Sequence, residues 1–191
     1  MDRANLFTKI PGDRVGALIG PNGSVKDMIE KKLAVELIID SVNGGVKIVL
    51  GSDDADPASL FKAKEVATAI GRGFSSERAF YLFEDEELTL QVIDLREIIG
   101  RSRSDLKRLK GRIIGKNGKT REIIEELTKA LISVYGDTIS IIGYIDQISV
   151  AREAIVMLLQ GKQHRSVYRF LYKKGRELKK KKFEIWENKT L

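Results

Sequence analysis

Residues 111–120 read G-R-I-I-G-K-N-G-K-T, and a quieter copy, V-G-A-L-I-G-P-N-G, occupies 15–23. Gly16, Gly20 and Gly23 match Gly111, Gly115 and Gly118 at a single offset of 95 residues. A lone G-x-x-G is a weak signal. Two in the same context at one offset indicate a duplicated domain, with a period too long for a solenoid.

The flanks of each tetrad carry the same pattern. Asn5 to Ile10 reads as a strand, Pro11-Gly12-Asp13 as a turn and Arg14 to Ile19 as helical turns that stop at Gly20. Val25, Met28, Ile29 and Leu33 recur at helical spacing after the loop. Val35 to Val42 and Val46 to Leu50 are β-branched runs around the hairpin signal Asn43-Gly44-Gly45. Pro57 suits a helix start, and Leu60, Ala63, Val66, Ala67 and Ile70 form a helical stripe ended by Gly71 and Gly73. The second copy repeats the order. Leu88 to Leu95 is a half-buried strand with Leu88, Leu90 and Val92 inward. Ser104 caps a helix to Ile114, and Lys119 to Leu131 is the helix after the loop. Ile132 to Tyr135 and Thr138 to Ile142 are strands around Gly136-Asp137, and Asp146 to Leu159 is a helix. Between the copies, Ser75 to Phe83 is a short helix capped by Ser76, followed by the acidic turn Glu84 to Glu87. The fold class is α+β, with units at 1–74 and 88–161, an acidic helical linker at 75–87 and a basic, largely helical extension at 162–191.

Net charge is +7 and it is unevenly placed. Residues 1–73 sum to zero, 74–99 to −5, 100–161 to +4 and 162–191 to +8. A polyanion-binding face on the second copy and the tail gives this distribution, whereas a uniformly basic surface does not. No cysteine and a single histidine, His164, argue against thiolate chemistry and against a cysteine or histidine metal site; no cofactor and no metal is expected. The absence of a signal peptide or long apolar run leads to the expectation of a cytoplasmic protein that meets no membrane. The four acids Glu84 to Glu87 point different ways along a turn and do not make a nuclease centre. Phe7, Phe74, Phe80, Tyr81 and Phe83 are read as core or domain-interface residues.

The loop carries the chemistry. Glycines permit backbone shapes and close approaches that a side chain blocks. The loop amides and the following helix N-terminus suit a phosphate oxygen. A Walker-type nucleotide loop ending Gly118-Lys119-Thr120 requires glycine at position 113, which is Ile113, and a preceding strand where the pattern is helical. The reading is instead a single-strand RNA clamp: Gly115, Lys116, Asn117 and Gly118 grip the backbone. Ile113, Ile114, Ile124 and Ile132 wall an aliphatic groove, Arg112, Lys119 and Arg121 add phosphate contacts, and Tyr135 is a stacking candidate. Nine basic residues fall between Arg101 and Arg121, opposed only by Asp105. The first loop, Gly20, Pro21, Asn22 and Gly23 with Lys26 behind it, is uncharged, and Pro21 has no amide hydrogen. It is read as the weaker site, architectural or protein-contacting.

Both copies resemble KH domains of the type I order βααββα, a three-stranded antiparallel sheet with helices packed on one face. The strings G-R-I-I-G-K-N-G-K-T-R, I-S-V-Y-G and H-R-S-V-Y-R-F-L resemble the archaeal two-KH ribosome-assembly family called Dim-two or partner of Nob-one, over about Ile10 to Leu178. That resemblance implies a non-enzymatic factor that binds single-stranded small-subunit rRNA near its 3′ end during maturation, and a monomer is expected. It also implies contacts with assembly factors, such as the endonuclease that trims that end, and with the translation machinery as a further candidate. One departure from the wider KH pattern stands at Lys26 and Arg121, where an aliphatic groove residue is usual. A protein-interaction scaffold and an RNA-decay or translation regulator are the alternatives the same fold allows. The tail has three readings: an RNA surface with Lys179 to Lys182 as a flexible phosphate contact, a helix packed on the second unit, or a docking site for a protein partner, with Phe183, Ile185 and Trp186 read as a strand or a docking segment.

Overall fold

The computed structural model describes residues 3–52, 55–100 and 102–189. The chain divides into two units, Met1–Leu90 and Gln91–Leu191. In the first, strand β1 (Asn5–Lys9) leads through a 3₁₀ turn into helix α1 (Val15–Ile19). Helix α2 (Ser24–Leu33) follows the glycine loop, then β2 (Val35–Ile39), β3 (Gly45–Leu50) and helix α3 (Ala58–Gly71). The sheet order is β1-β3-β2, antiparallel throughout. Helices cover one face: Leu18, Ile29, Leu37, Ile48 and Ile70 are fully buried between them and the sheet. The other face is open where Phe7, Lys47 and Ile38 stand side by side across the three strands. Phe7 is 63% exposed and Ile38 51%, so Phe7 is not the core residue its aromatic character suggests. Its ring lies over Gly45, whose missing side chain leaves the space.

Residues 75–87 form helix α4 (Ser76–Ala79), a 3₁₀ turn over Phe80–Phe83 and a turn in which the Asp85 carboxylate accepts from the Glu87 amide. The cap of α4 is Ser75, not Ser76: its hydroxyl accepts from the Arg78 amide.

The second unit holds β4 (Thr89–Asp94), α5 (Leu95–Ile99), α6 (Arg103–Ile114), α7 (Lys119–Thr128), β5 (Leu131–Tyr135), β6 (Thr138–Gly143), α8 (Ile145–Leu159) and α9 (His164–Lys189). Its sheet order, β4-β6-β5, repeats that of the first. The alternation expected along β4 is shifted: Ile93 is buried and Val92 exposed. Helix α5, where no element was expected, is capped by Asp94, and α6 is capped by Ser102 rather than Ser104. Helix α7 stops at Thr128 because Lys129 adopts a left-handed conformation, so Leu131 opens the strand instead of closing the helix. The tail is one continuous helix, so the strand reading of 183–186 does not hold. The side chains of 181–189, Lys181 and Lys182 among them, lie outside the described residues. Val167 and Leu171 bury completely as α9 packs on α7 and α8. Gly175 permits the approach, since a Cβ there would sit 2.8 Å from the Leu127 carbonyl oxygen.

Candidate nucleic-acid interface

The two glycine loops have nearly the same backbone. Gly115, Asn117 and Gly118 adopt φ/ψ of 74/177°, 52/31° and 83/0°. Gly20, Asn22 and Gly23 adopt 75/173°, 52/28° and 82/2°. Asparagine tolerates the left-handed conformation better than other side chains, which accounts for Asn at the same place in both copies. Gly115 is required by contact as well as by φ: a Cβ there would stand 2.2 Å from Thr120 Oγ1 and 2.7 Å from the Thr120 amide nitrogen. A Cβ on Gly20 would meet Val25 Cγ2 at 2.5 Å. Each loop is thus pulled against the first turn of the next helix, with its tip turned outward.

Charge separates the copies. Lys116 and Lys119 are exposed, and among the described residues neither forms an ion pair. Arg121 lies beside Gly118, its Nη2 3.9 Å from where a Cβ would be, and its buried Nε has no hydrogen-bond partner among the described residues. In the first unit Lys26, at the matching position, reaches Glu30 at 3.7 Å.

The aliphatic wall needs correction. Ile113, Ile124 and Ile132 are 0%, 0% and 1% exposed and belong to the core; only Ile114, at 36%, reaches the surface. Consecutive helix residues point about 100° apart, so Ile113 and Ile114 cannot share a face. The duplication held the signal: Leu18, Ile29 and Leu37, each 95 residues earlier, are equally buried. Tyr135 is part-buried and, by the two-residue period of a strand, lies on the face of β5 opposite Ile132, away from the helices.

Arg112 also points elsewhere. Its Nε donates to the Leu158 carbonyl at 3.1 Å and its Nη2 to the Lys162 carbonyl at 2.5 Å, closing the end of α8. Arg14 does the same in the first unit, donating to the carbonyls of Ile70 and Phe74 at 2.9 and 2.7 Å beyond α3. A cation there satisfies carbonyls that a helix end leaves open. A second repeated tie holds the edge strand: Glu125 Oε1 accepts from the Ile132 amide at 2.6 Å, and Glu30 Oε1 from the Leu37 amide at 2.7 Å.

Helix α9 supports the second loop from behind. The Tyr168 hydroxyl is 2.9 Å from Thr120 Oγ1, and His164 Nε2 donates to the Arg112 carbonyl at 3.0 Å. His164 is therefore a packing residue. A cleft of about 490 Å³ opens between α9 and the loop, lined in part by Arg108, Lys116, Lys119 and Tyr168.

A sequence model of the Eukaryotic type KH-domain (KH-domain type I) matches residues 89–176. The KH domain-containing protein MJ0443 of Methanocaldococcus jannaschii is 44% identical over 99% of this chain and 82% of its own. The crystal structure of Dim2p from Pyrococcus horikoshii OT3 superposes with a TM-score of 0.84 at 45% identity, covering 90% of this chain and 99% of that one. The chain belongs to the Dim2p/PNO1 family. The same Pyrococcus Dim2p, solved in complex with a/eIF2alpha and rRNA, superposes with a TM-score of 0.85 at 44% identity over 92% of this chain and 96% of that one. The pre-rRNA-processing protein PNO1 of Coccidioides immitis is 25% identical over 86% of this chain, which spans 64% of that longer relative. The KH match extends through Arg176, so in this Dim2p/PNO1 protein the first half of α9 is part of the domain.

Sequence reasoning missed a second basic feature of this unit. Arg96 holds Asp137 through two hydrogen bonds, one of 2.7 Å from Nε. Lys110 Nζ donates to the Gly136 carbonyl at 2.7 Å and lies 3.6 Å from Asp137 Oδ1. The hydrogen bonds from Arg96, and then the charges of Arg96 and Lys110, hold the Asp137 carboxyl below its ordinary range. Arg101, one of the nine clustered basic residues, lies outside the described residues.

Proposed function

We propose that the chain is a single-stranded RNA-binding factor of small-subunit ribosome assembly that grips rRNA near its 3′ end through the Gly115–Gly118 loop and acts by binding, not catalysis. The observation that carries the reading is the second loop itself: an outward glycine turn with Lys116 and Lys119 exposed beside it and, among the described residues, without an ion pair. The rRNA complex of the 44%-identical Pyrococcus Dim2p and the PNO1 pre-rRNA-processing relatives support the substrate class. Arg121 takes the position of an aliphatic groove residue and reaches toward a phosphate or stacks on a base. Both units are KH domains on this reading. Their loops share one shape, so the first can also hold RNA. The second contributes most because Pro21 offers no amide and Lys26 is tied to Glu30. The protein works as a cytoplasmic monomer among assembly factors, with the 3′-end endonuclease and translation machinery as its partners.

The test compares Lys116→Asp/Asn117→Asp with Pro21→Asp/Asn22→Asp by fluorescence anisotropy on a 3′-terminal small-subunit rRNA fragment. Wild type neutralising about four phosphates should show log affinity falling against log salt with a slope near −3. The second-loop variant should lose most of its affinity and the first-loop variant less; equal losses refute the asymmetry. One observation favours a scaffold reading, the exposed Phe7 and Ile38 on the open sheet face. Partners that stay attached after RNase treatment, and leave on Phe7→Ser, would support it.

A further inference from the structure

The two units differ by an insertion that the glycine offset conceals. The amides of Ile10 and Leu95 both bond the tip of the following hairpin, at Gly44 and Asp137. These structurally matched residues are 85 apart, whereas the glycine loops are 95 apart. The second unit therefore has ten extra residues between its first strand and its loop. They form α5 and lengthen α6, which runs 12 residues where α1 runs five.

The insertion and the lengthened helix build a cleft of about 630 Å³ lined by Arg96, Arg103, Leu106, Lys107, Lys110 and Asp137. Four cations face one carboxylate. Arg96 and Lys110 already hold Asp137, which leaves Arg103 and Lys107 exposed and, among the described residues, without an ion pair. Buried Leu106 provides an apolar surface beneath them. Arg103, Lys107, Lys110 and Ile114 follow a spacing of four, three and four, which is one face of a helix. That stripe runs about 17 Å along α6 at 1.5 Å per residue and ends at Gly115. The first unit has no counterpart, because α1 begins only at Val15.

We propose that this cleft is a phosphodiester subsite that takes the RNA backbone where it continues past the glycine loop along α6. The inference rests on the RNA-binding reading above. It assigns Arg103 and Lys107 as the free cations and the Arg96–Asp137–Lys110 cluster as the rigid wall that fixes the hairpin tip opposite them.

The experiment uses the full chain with Arg103→Gln/Lys107→Gln and two probes in anisotropy titrations. One is a tetraribonucleotide, enough for a KH loop; the other is the whole single-stranded 3′-terminal rRNA fragment. The expected result is a tenfold or greater loss on the long fragment, a salt slope shallower by about 1.4 for two lost phosphate contacts, and no change on the tetranucleotide. Both side chains are exposed, so an unchanged melting curve confirms the fold. Unchanged long-fragment affinity, while Lys116→Asp/Asn117→Asp abolishes binding, overturns the subsite and leaves the RNA reading standing. Equal losses on both probes also overturn it, since the cations would then act as a diffuse field. If wild type binds neither probe, both readings fall.

Discussion

Replacing Gly115 by alanine tests the loop geometry on which the proposed RNA clamp depends. At φ 74° and ψ 177° the residue occupies a region that is essentially glycine's alone, and holding alanine there costs about 1–3 kcal/mol. The added methyl would also overlap Thr120 Oγ1 and the Thr120 backbone nitrogen, at 2.2 and 2.7 Å. Overpacking of this kind costs about 1–3 kcal/mol more. Because one clash is with backbone, trimming Thr120 does not relieve it. Gly118→Ala provides the contrast: φ is 83°, but the nearest atom to a Cβ is Glu122 Oε1 at 3.7 Å. Only the left-handed penalty of about 1 kcal/mol remains. Native-state hydrogen exchange at the buried Ile113 and Ile124 amides reports the second unit, with Leu18 and Ile29 as controls in the first. Gly115→Ala at about 3 kcal/mol should speed exchange in the second unit roughly 100-fold, and Gly118→Ala roughly fivefold. Equal effects from the two substitutions would show that Gly115 does not sit against Thr120, and the clamp geometry would fall with it.

Arg112→Lys keeps the charge but loses the two-pronged grip on the Leu158 and Lys162 carbonyls. Thermal melting should drop by several degrees for a loss of about 1 kcal/mol, while the salt slope of RNA binding stays at its wild-type value; a shallower slope would restore Arg112 to the phosphate contacts. Asp137 supplies a pH signature. Its carboxyl is depressed by Arg96, so the stability it contributes is present above the unfolded value of about 3.9 and is lost as pH falls through the lower folded value. Wild type should melt above Asp137→Asn at pH 6, and the gap should close only below about pH 4. A gap unchanged through the acid range would dissociate Asp137 from Arg96.

What was legible in the sequence is what short-range chemistry dictates. Gly-x-Asn-Gly demands left-handed backbone at fixed places, and both loops deliver it, even with proline in one. Helical stripes such as Leu60 to Ile70 buried as their period requires. Caps were less legible, because Ser75 and Ser76, or Ser102 and Ser104, offer the same hydroxyl and only the entry angle of the chain selects one. Long-range partners were not legible at all. Arg112 meets Leu158 across 46 residues and Lys162 across 50, and in the sequence it reads as one more cation beside the loop. Ile113 and Ile114 are equivalent as letters but about 100° apart on the helix, so only Ile114 reaches the surface. Phe7 lays its ring over Gly45 on the neighbouring strand, two residues from its own partner Lys47, a neighbour that only the register discloses.

The difference between the units therefore lies outside the element that defines them. Loop backbones that agree within a few degrees offer RNA the same shape twice. Shape alone cannot then explain why basic charge gathers on one copy. Part of the charge sits on the second loop and its helix, at Lys116, Lys119 and Arg121, and part arrives on two additions, one at each end of α6. At its start, ten inserted residues bring Arg96 and Arg103 to the cleft beside Asp137. At its end, α9 seats Tyr168 on Thr120 and encloses the outer side of Lys116 and Lys119. Each addition is anchored by ties internal to the second unit, Arg96 to Asp137 and His164 to the Arg112 carbonyl. The two clamps share one backbone shape, and the additions around the second lengthen its basic surface along one helix. Pro21→Lys gives the first loop both an amide and a cation, so it should raise that loop's share of RNA affinity in the anisotropy titration. It should still leave the first unit weaker than the second, because Lys26 stays tied to Glu30 and no basic track runs along α1.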